Sequence, residues 1–221
     1  MINYIFTDRF GGVSEENYKS FNLAFHVGDK RENVEKNREI LKNKIKVSKI
    51  VFMNQLHSDK VEVVNDLDKI YNCDGIICDK KDVALAVMVA DCIPLLLYSD
   101  SLIAAVHAGR NGTFLEISKK CVLKMKKMGA KNIKAIIGPS IRSCCYEVGE
   151  EILDIAKKSF SEKYIKNKKF LDIVSMNIDQ LKSVGVENIK LFNDCTCCNK
   201  KYFSYRREKI TGRFVGVIWR K

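Results

Sequence analysis

Three side chains that could bind a soft or borderline metal ion stand at or beside the ends of apolar segments. Cys92 follows a long apolar run, and His57 and His107 each end one. Thiolate and imidazole are ligands that Zn²⁺ prefers, and a catalytic zinc site keeps three protein ligands and one open position. The residues alone leave two alternatives open. The histidines could be hydrogen-bonded structural residues, or Cys92 could be a nucleophile with His57 or His107 as its base.

A second group of thiols lies nearer the end of the chain. It contains Cys195, Cys197 and Cys198, and Cys144 and Cys145 are candidates to join it. We interpret C-x-C-C as a departure from the C-x₂-C spacing of zinc sites. Adjacent cysteines on a strand also point to opposite faces of the sheet. Structural thiols are therefore favoured here over a second metal site.

The elements that position the first three residues are predicted to be mainly strands. Unbroken apolar runs at 83–90 and 102–106 are typical of strands buried on both faces. The segment IVFMNQLH, residues 50–57, predicts an alternating strand that turns Gln55 and His57 to the same face. Further strands are predicted at 2–6, 61–64, 76–78, 95–97, 133–137, 189–192, 202–205 and 213–219, and helices at 32–46, 114–128, 147–160 and 171–184. Because strands outnumber helices without strict alternation, we predict one α+β (mixed α/β) domain, residues 1–221, with mixed β-sheets flanked by helices.

Residues 8–29 have no clear periodicity, yet they are too apolar for a disordered segment. We expect this segment to pack against the domain and to carry function. In the helix that follows, Arg38 shares the apolar face with Val34 and Asn37. An arginine there needs an anionic partner. A structural carboxylate or a snorkelling side chain is the alternative.

The composition limits the classes of partner. The net charge is +12, but the lysines are scattered without interleaved aromatic residues, which favours a lysine-rich surface over a nucleic-acid partner. The excess charge would help attract an anionic small substrate. No apolar run reaches the ~18–20 residues of a membrane helix, so we expect no membrane partner. Nine cysteines without a secretory signal predict a cytoplasmic protein with reduced thiols. We expect a monomer or small homo-oligomer.

Several sequence blocks, in order from Phe6 to about Trp219, resemble the YfiH/laccase-domain family. Members of that family were formerly called multicopper polyphenol oxidases and are now mostly described as zinc-dependent purine nucleoside phosphorylases. The blocks are FTDRFGGVS, SFNLAFHVGD, VEKNRE, NQLHSDKV, CDGIICD, ADCIPLLL, HAGRNG, IGPSIRSCCYEVG, DCT, FSYRRE and TGR.

The resemblance implies a single α/β domain with mixed sheets and a zinc site formed by His57, Cys92 and His107. It also implies phosphorolysis of adenosine, inosine and 5′-methylthioadenosine to the base and a ribose 1-phosphate, with adenosine deamination as a further activity. Zinc can acidify water for attack on the purine 6-position. The expected partners are therefore a purine nucleoside and phosphate. Our first candidate for the phosphate contact is Arg38, and Arg9 and Arg110 are weaker candidates.

The chain departs from the family pattern beside one ligand. The family block H-A-G-W-R-G reads His107-Ala108-Gly109-Arg110-Asn111-Gly112 here, so Arg110 and Asn111 replace Trp and Arg. Ser58 also replaces a glycine after His57. These departures bear on substrate preference and rate. Two other functions remain open: a cell-wall precursor editing amidase that uses the same Cys/His site, and a copper phenol oxidase. Three histidines are too few for a multicopper site, so zinc is favoured over copper.

Overall fold

The computed structural model describes residues 1–221 and contains thirteen strands and six α-helices. The strands are β1 (Ile2–Phe6), β2 (Lys49–Asn54), β3 (Val61–Val63), β4 (Tyr71–Asn72), β5 (Gly75–Cys78), β6 (Val83–Val89), β7 (Ile93–Tyr98), β8 (Ile103–Ala108), β9 (Lys134–Ile137), β10 (Ile165–Lys166), β11 (Phe170–Leu171), β12 (Ile189–Leu191) and β13 (Phe214–Arg220). The helices are α1 (Arg31–Ile45), α2 (Arg110–Phe114), α3 (Ile117–Lys127), α4 (Glu150–Ser159), α5 (Ile173–Ser183) and α6 (Tyr205–Glu208). None of the helices is both long and apolar enough to cross a bilayer.

Two mixed sheets dominate the architecture. A five-stranded sheet has the order β1-β13-β6-β2-β4, a six-stranded sheet has the order β12-β9-β7-β8-β5-β3, and β10 and β11 form a small hairpin. In the first sheet β6 pairs antiparallel with β13 and parallel with β2. In the second sheet β7 pairs antiparallel with β8 and β9. The predicted α+β fold with mixed sheets flanked by helices is confirmed.

The two sheets pack face to face, and helices cover their outer faces. One apolar core lies between the sheets, a second lies between the six-stranded sheet and the helices α3 and α5, and a third lies between the five-stranded sheet and α1. Every residue of β6 is buried, as is every residue of β8. In β6, Leu85 and Val87 face the other sheet, whereas Ala84 and Ala86 face α1. The prediction of strands buried on both faces is confirmed.

Three sequence predictions of local structure are wrong. The strand β2 ends at Asn54, because Gln55 uses its side-chain amide in place of its backbone to pair with β6: Oε1 accepts from the Met88 amide and Nε2 donates to the Met88 carbonyl, both at 2.8 Å. The helix predicted at 114–128 is two helices, broken at Glu116, whose φ is +59°. Residues 202–205 form no strand. The Ser204 side chain accepts a hydrogen bond at the start of α6, as an N-cap does.

Residues 8–29 pack against the outer face of the five-stranded sheet, as predicted. Phe21, Leu23 and Ala24 of this segment are buried in the core beneath α1. The buried side chain of Asn37 holds the segment to α1. It accepts from the Val13 amide at 2.8 Å and donates to three oxygens of the segment. Asn37 therefore lies on the inward face of α1 because its side chain holds residues 8–29 in place.

Candidate active site

His57, Cys92 and His107 meet where the two sheets adjoin. Cys92 lies between β6 and β7, and His107 lies in β8, which pairs with β7. His57 follows β2, the parallel neighbour of β6, and has a φ of +58°. The ligand atoms of the three residues all lie within 4.8 Å of one another. The two imidazole rings are 4.7 Å apart and perpendicular, at 89°.

Asp74, in the turn between β4 and β5, holds the His107 ring and the backbone of His57 by hydrogen bonds. Its buried carboxylate accepts five hydrogen bonds: from the amides of residues 56, 57 and 58, from the Ser58 hydroxyl and from His107. Burial alone would raise its pKa, but the hydrogen bonds from His107 and Ser58 outweigh burial and lower the pKa to about 2. Asp74 is therefore ionised at neutral pH. Because it accepts from His107 Nδ1 at 2.8 Å, the other ring nitrogen, Nε2, is the one free to bind a metal.

Asp74 was not predicted as a site residue, because the sequence Asn72-Cys73-Asp74-Gly75 is typical of an ordinary turn. An acidic residue in such a turn carries no signal that distinguishes it from solvent-exposed turn residues. Its block, CDGIICD, was among those that resemble the family, and that was the only sequence signal for it.

Gly109 leaves the space that the three ligands need. A Cβ atom at this position would lie 3.1 Å from Cys92 Sγ, 3.3 Å from His57 Cδ2 and 3.6 Å from His107 Cε1. One thiol and two imidazoles converge at spacings that one ion can bridge, and one ligand already has a carboxylate behind it. This donor set fits Zn²⁺ with an open coordination position. The residues therefore form a metal-capable site.

In the protein alone, Cys92 and His107 favour opposite charges. Burial would raise the pKa of the Cys92 thiol, but the proximity of His107 and hydrogen bonds from both histidines outweigh burial and lower the pKa to about 6. Burial would lower the pKa of His107, but Cys92 and Asp74 raise it to about 9. A thiolate is thus stabilised at the position where a metal ligand must be deprotonated.

The three residues line a cavity of about 510 Å³, a volume typical of small-molecule sites. Four further cationic side chains and two tyrosines line it, together with an apolar strip from the end of β6. The cations are Arg110, Arg206, Lys209 and Arg213, and the tyrosines are Tyr146 and Tyr205. The other polar residues of the lining are His26, Gln55, Asp91 and Asn111. Burial lowers the pKa of His26, and the nearby Arg213 lowers it further, so this imidazole is neutral at pH 7.

None of these four cations forms an ion pair with a carboxylate. Arg110 bonds only to the Asn111 side chain, and Arg213 donates to the carbonyls of Thr211 and Gly212. Asp91 is the one carboxylate in the lining, and both its oxygens are used elsewhere. The cavity therefore has an excess of positive charge that an anion would balance.

The structure places the other two predicted phosphate contacts outside this cavity. Arg38 lies between the rings of Phe25 and Phe52, at 4.3 Å and 3.8 Å, and Nε donates to the Leu23 carbonyl. Burial lowers its pKa to about 10. Arg9 is paired with Glu208 at 2.6 Å. Arg110 is the one member of the predicted trio that lines the cavity.

A family model described as multi-copper polyphenol oxidoreductase laccase matches residues 3–221. The chain belongs to this family. The resemblance found in the sequence blocks is thus confirmed. A Corynebacterium glutamicum relative named purine nucleoside phosphorylase is 40% identical over 99% of this chain and 94% of its own length. A Campylobacter jejuni relative of the same name is 41% identical over 79% of each chain.

Solved structures of the family have the same fold. The chain matches a Bacillus licheniformis protein titled YfiH with a TM-score of 0.94 and 31% identity, over 100% of this chain and 93% of that one. A Neisseria meningitidis structure described as family-model DUF152 matches with a TM-score of 0.90 and 32% identity, over 99% and 93%.

The three residues that meet at the metal-capable site were predicted from the sequence of this laccase-family member, but most of the cationic lining was not. Arg206 lies in α6, and Lys209 and Arg213 follow it; the sequence predicted no element for residues 206–212 and a strand from Arg213. Arg206 and Arg213 do belong to the matched blocks FSYRRE and TGR. Those blocks were the available signal.

Proposed function

We propose that this protein is a zinc-dependent purine nucleoside phosphorylase that also deaminates adenosine. One observation carries the proposal: a metal-capable Cys/His trio and four cationic side chains without carboxylate partners line the same cavity. The names of the relatives, at 40% and 41% identity, support this reaction over others that such a cavity could host. The substrates are adenosine, inosine and 5′-methylthioadenosine, with inorganic phosphate.

His57, Cys92 and the Nε2 atom of His107 would hold the zinc ion. When bound, zinc supplies a Lewis acid that polarises an acceptor atom and acidifies water, which is the chemistry that deamination at the purine 6-position requires. Asp74 keeps His107 in the tautomer that presents Nε2, and it holds the backbone that carries His57. The chain thus orients its ligands before any metal arrives.

In phosphorolysis, a phosphate oxygen forms a bond to the anomeric carbon while the bond from that carbon to purine N9 breaks, and the electron pair leaves with the base. Arg110, Arg213 and Lys209 are the cations with donors free to hold phosphate in line with the breaking bond. Tyr146 and Tyr205 offer ring faces for the purine. Arg206 is less free, because its guanidinium donates to the carbonyls of Cys145 and Glu147.

The test is to incubate metal-analysed protein with adenosine, with and without phosphate, and to separate adenine, inosine and hypoxanthine by chromatography. We expect phosphate-dependent adenine and phosphate-independent inosine. His57→Ala and Cys92→Ala should abolish both products, and Arg110→Ala should reduce only the phosphate-dependent one. No product from zinc-loaded protein would refute the proposal.

Assays of amide hydrolysis and phenol oxidation on the same metal-analysed protein separate the other functions. A protein that lacks zinc yet hydrolyses an amide through Cys92 would be the precursor-editing amidase. Copper in the isolated protein together with phenol oxidation would be the older family activity.

A further inference from the structure

Four thiols outside the cavity gather at one point of the surface. The sulfurs of Cys144, Cys145, Cys195 and Cys198 all lie within 4.8 Å of one another. Cys144, Cys145 and Cys198 lie in turns and Cys195 in an isolated β-bridge, none of them within a strand, so the expectation that neighbouring cysteines point apart does not hold here. Cys195 and Cys198 also have the C-x₂-C spacing of zinc sites, which the C-x-C-C pattern concealed. Cys197 is not part of the cluster. We call the four thiols the tetrathiol cluster.

The sulfur spacings suit a single ion. With Zn–S bonds of about 2.3 Å, a tetrahedral site separates its sulfurs by about 3.8 Å. Sγ of Cys144 lies 3.7 Å from Sγ of Cys145 and 3.7 Å from Sγ of Cys198. The distance between Cys145 and Cys198 is 3.2 Å. Shifts of less than an ångström would bring these three sulfurs to tetrahedral spacing.

A second, independent feature beside the cluster calls for negative charge. Arg142 forms no ion pair with any carboxylate, and its buried Nε atom has no hydrogen-bond partner. Its only side-chain hydrogen bond runs from Nη2 to the carbonyl of Phe192. The groups able to carry negative charge that act on it are Cys195, Asp172, Asp194 and Cys144, and neither carboxylate pairs with it. A half-buried guanidinium without a paired anion is costly, and thiolates held by a metal would supply that anion.

We propose that Cys144, Cys145, Cys195 and Cys198 bind one Zn²⁺ ion as a second metal site, separate from the catalytic cavity. Each thiol that ligates releases its proton to solvent, and the four thiolates fill the tetrahedral shell. With no open position, the ion has a structural role. It ties the turn before α4 to the turn before α6.

Both turns support the cavity wall, which gives the second site a purpose. The Cys145 carbonyl accepts from Arg206 Nη1 at 2.9 Å. The hydroxyl of Thr196, which lies between two of the thiols, donates to Asp91 Oδ1 at 2.7 Å. Arg206 and Asp91 line the cavity, and Asp91 precedes Cys92. A metal that fixes these turns fixes one side of the catalytic cavity.

The test is to count bound metal in variants that separate the two sites. Protein should be purified under reducing conditions, dialysed with zinc, freed of loose metal and analysed by mass spectrometry of the metal content. Wild type should hold two ions per chain. The variant His57→Ala/Cys92→Ala, which lacks the catalytic site, should hold one. Adding Cys198→Ser should remove that ion, whereas adding Cys197→Ser, the matched control in the same turn, should leave it.

Cobalt substitution of the His57→Ala/Cys92→Ala variant gives an independent readout. We expect the absorption of tetrahedral Co²⁺ with sulfur-to-metal charge transfer, lost on Cys198→Ser or Cys144→Ser. Both of these thiols are exposed, so serine should not disturb the fold, and circular dichroism checks this. Three results would overturn the proposal: no ion in the His57→Ala/Cys92→Ala variant, equal metal in the Cys197 and Cys198 variants, or a Cys145–Cys198 disulfide in place of metal.

Discussion

Replacing Asp74 by asparagine removes the charge that organises the catalytic ligands while changing little volume. Oδ1 accepts from the His57 amide at 3.0 Å and from His107 Nδ1 at 2.8 Å, and Oδ2 accepts from three donors of residues 56–58. In either orientation of an asparagine amide, the NH₂ group therefore faces hydrogen-bond donors and cannot accept from them. If the NH₂ group faces His107, the ring must accept at Nδ1 and carry its proton on Nε2, where it can no longer bind metal.

The size of the effect follows from these contacts. Loss of a carboxylate behind a metal-bound histidine weakens metal binding about 10–100-fold. Two buried donors left without an acceptor cost about 1–3 kcal/mol each, so the free energy of unfolding of the metal-free protein should fall by about 2–6 kcal/mol. Ser58→Ala removes one donor and keeps the carboxylate, so it is the milder matched variant. We expect it to weaken zinc binding less than tenfold.

The assay is competition with a fluorescent zinc chelator, alongside urea unfolding of the metal-free proteins. Both measurements should use the Cys198→Ser background, so that only the catalytic site contributes. Zinc affinity of Asp74→Asn equal to that of Ser58→Ala would refute the reasoning, because it would mean that the carboxylate does not set the histidine tautomer. An unchanged free energy of unfolding would refute the claim that both carboxylate oxygens are saturated.

Three further predictions follow from contacts at and around the cavity. Arg213→Ala should raise the KM for phosphate about 10–100-fold. Arg38 lies outside the cavity, so Arg38→Ala should leave that KM unchanged and lower the free energy of unfolding by about 2 kcal/mol through lost cation–π contacts. A higher phosphate KM in the Arg38 variant would show that Arg38 binds phosphate after all. Gly109→Ala should weaken zinc binding about tenfold or more, because overpacking against the ligands costs about 1–3 kcal/mol, and calorimetric titration would show this or exclude it. Glu208→Gln should lower the free energy of unfolding by about 1–3 kcal/mol, because its carboxylate accepts from Arg9, Arg207 and Thr211, with no change in phosphate KM. Kinetics and urea unfolding together check that this network, Arg9 included, is structural.

The buried strands were predictable from sequence because their signal is local. The runs that became β6 and β8 are apolar throughout, and a strand covered on both faces requires this. Side chains that replace backbone pairing leave no such signal. Gln55 continues the apolar alternation of 50–57, yet its amide ends the strand by bonding to Met88.

The candidate site was predictable in its residue types but not in its assembly. The spacing of His57, Cys92 and His107 was too long to show that they meet, and the family resemblance supplied that step. Asp74 acts through contacts with residues more than fifteen positions away in the sequence. Arg213 acts through its place in the cavity wall. A local sequence pattern shows neither. The tetrathiol cluster was not predicted for another reason. Its cysteines were expected to lie in strands that would point them apart, whereas they lie outside the strands and their sulfurs meet.

The contacts of Asp91 bear on which reactions this cavity can catalyse. It precedes Cys92, has a φ of +101° and is the one carboxylate in the lining. One oxygen accepts from the Thr196 hydroxyl and the other from the Arg206 amide, both at 2.7 Å, and its carbonyl accepts from the Ile141 amide at 2.8 Å. These bonds hold an unfavourable backbone conformation beside Cys92, and they fix the carboxylate against Thr196 and Arg206. A general-base role for Asp91 would have to use a lone pair that these two bonds leave free. The excess of cations over this single carboxylate suits the cavity to reactions in which negative charge develops on phosphate or on a leaving base.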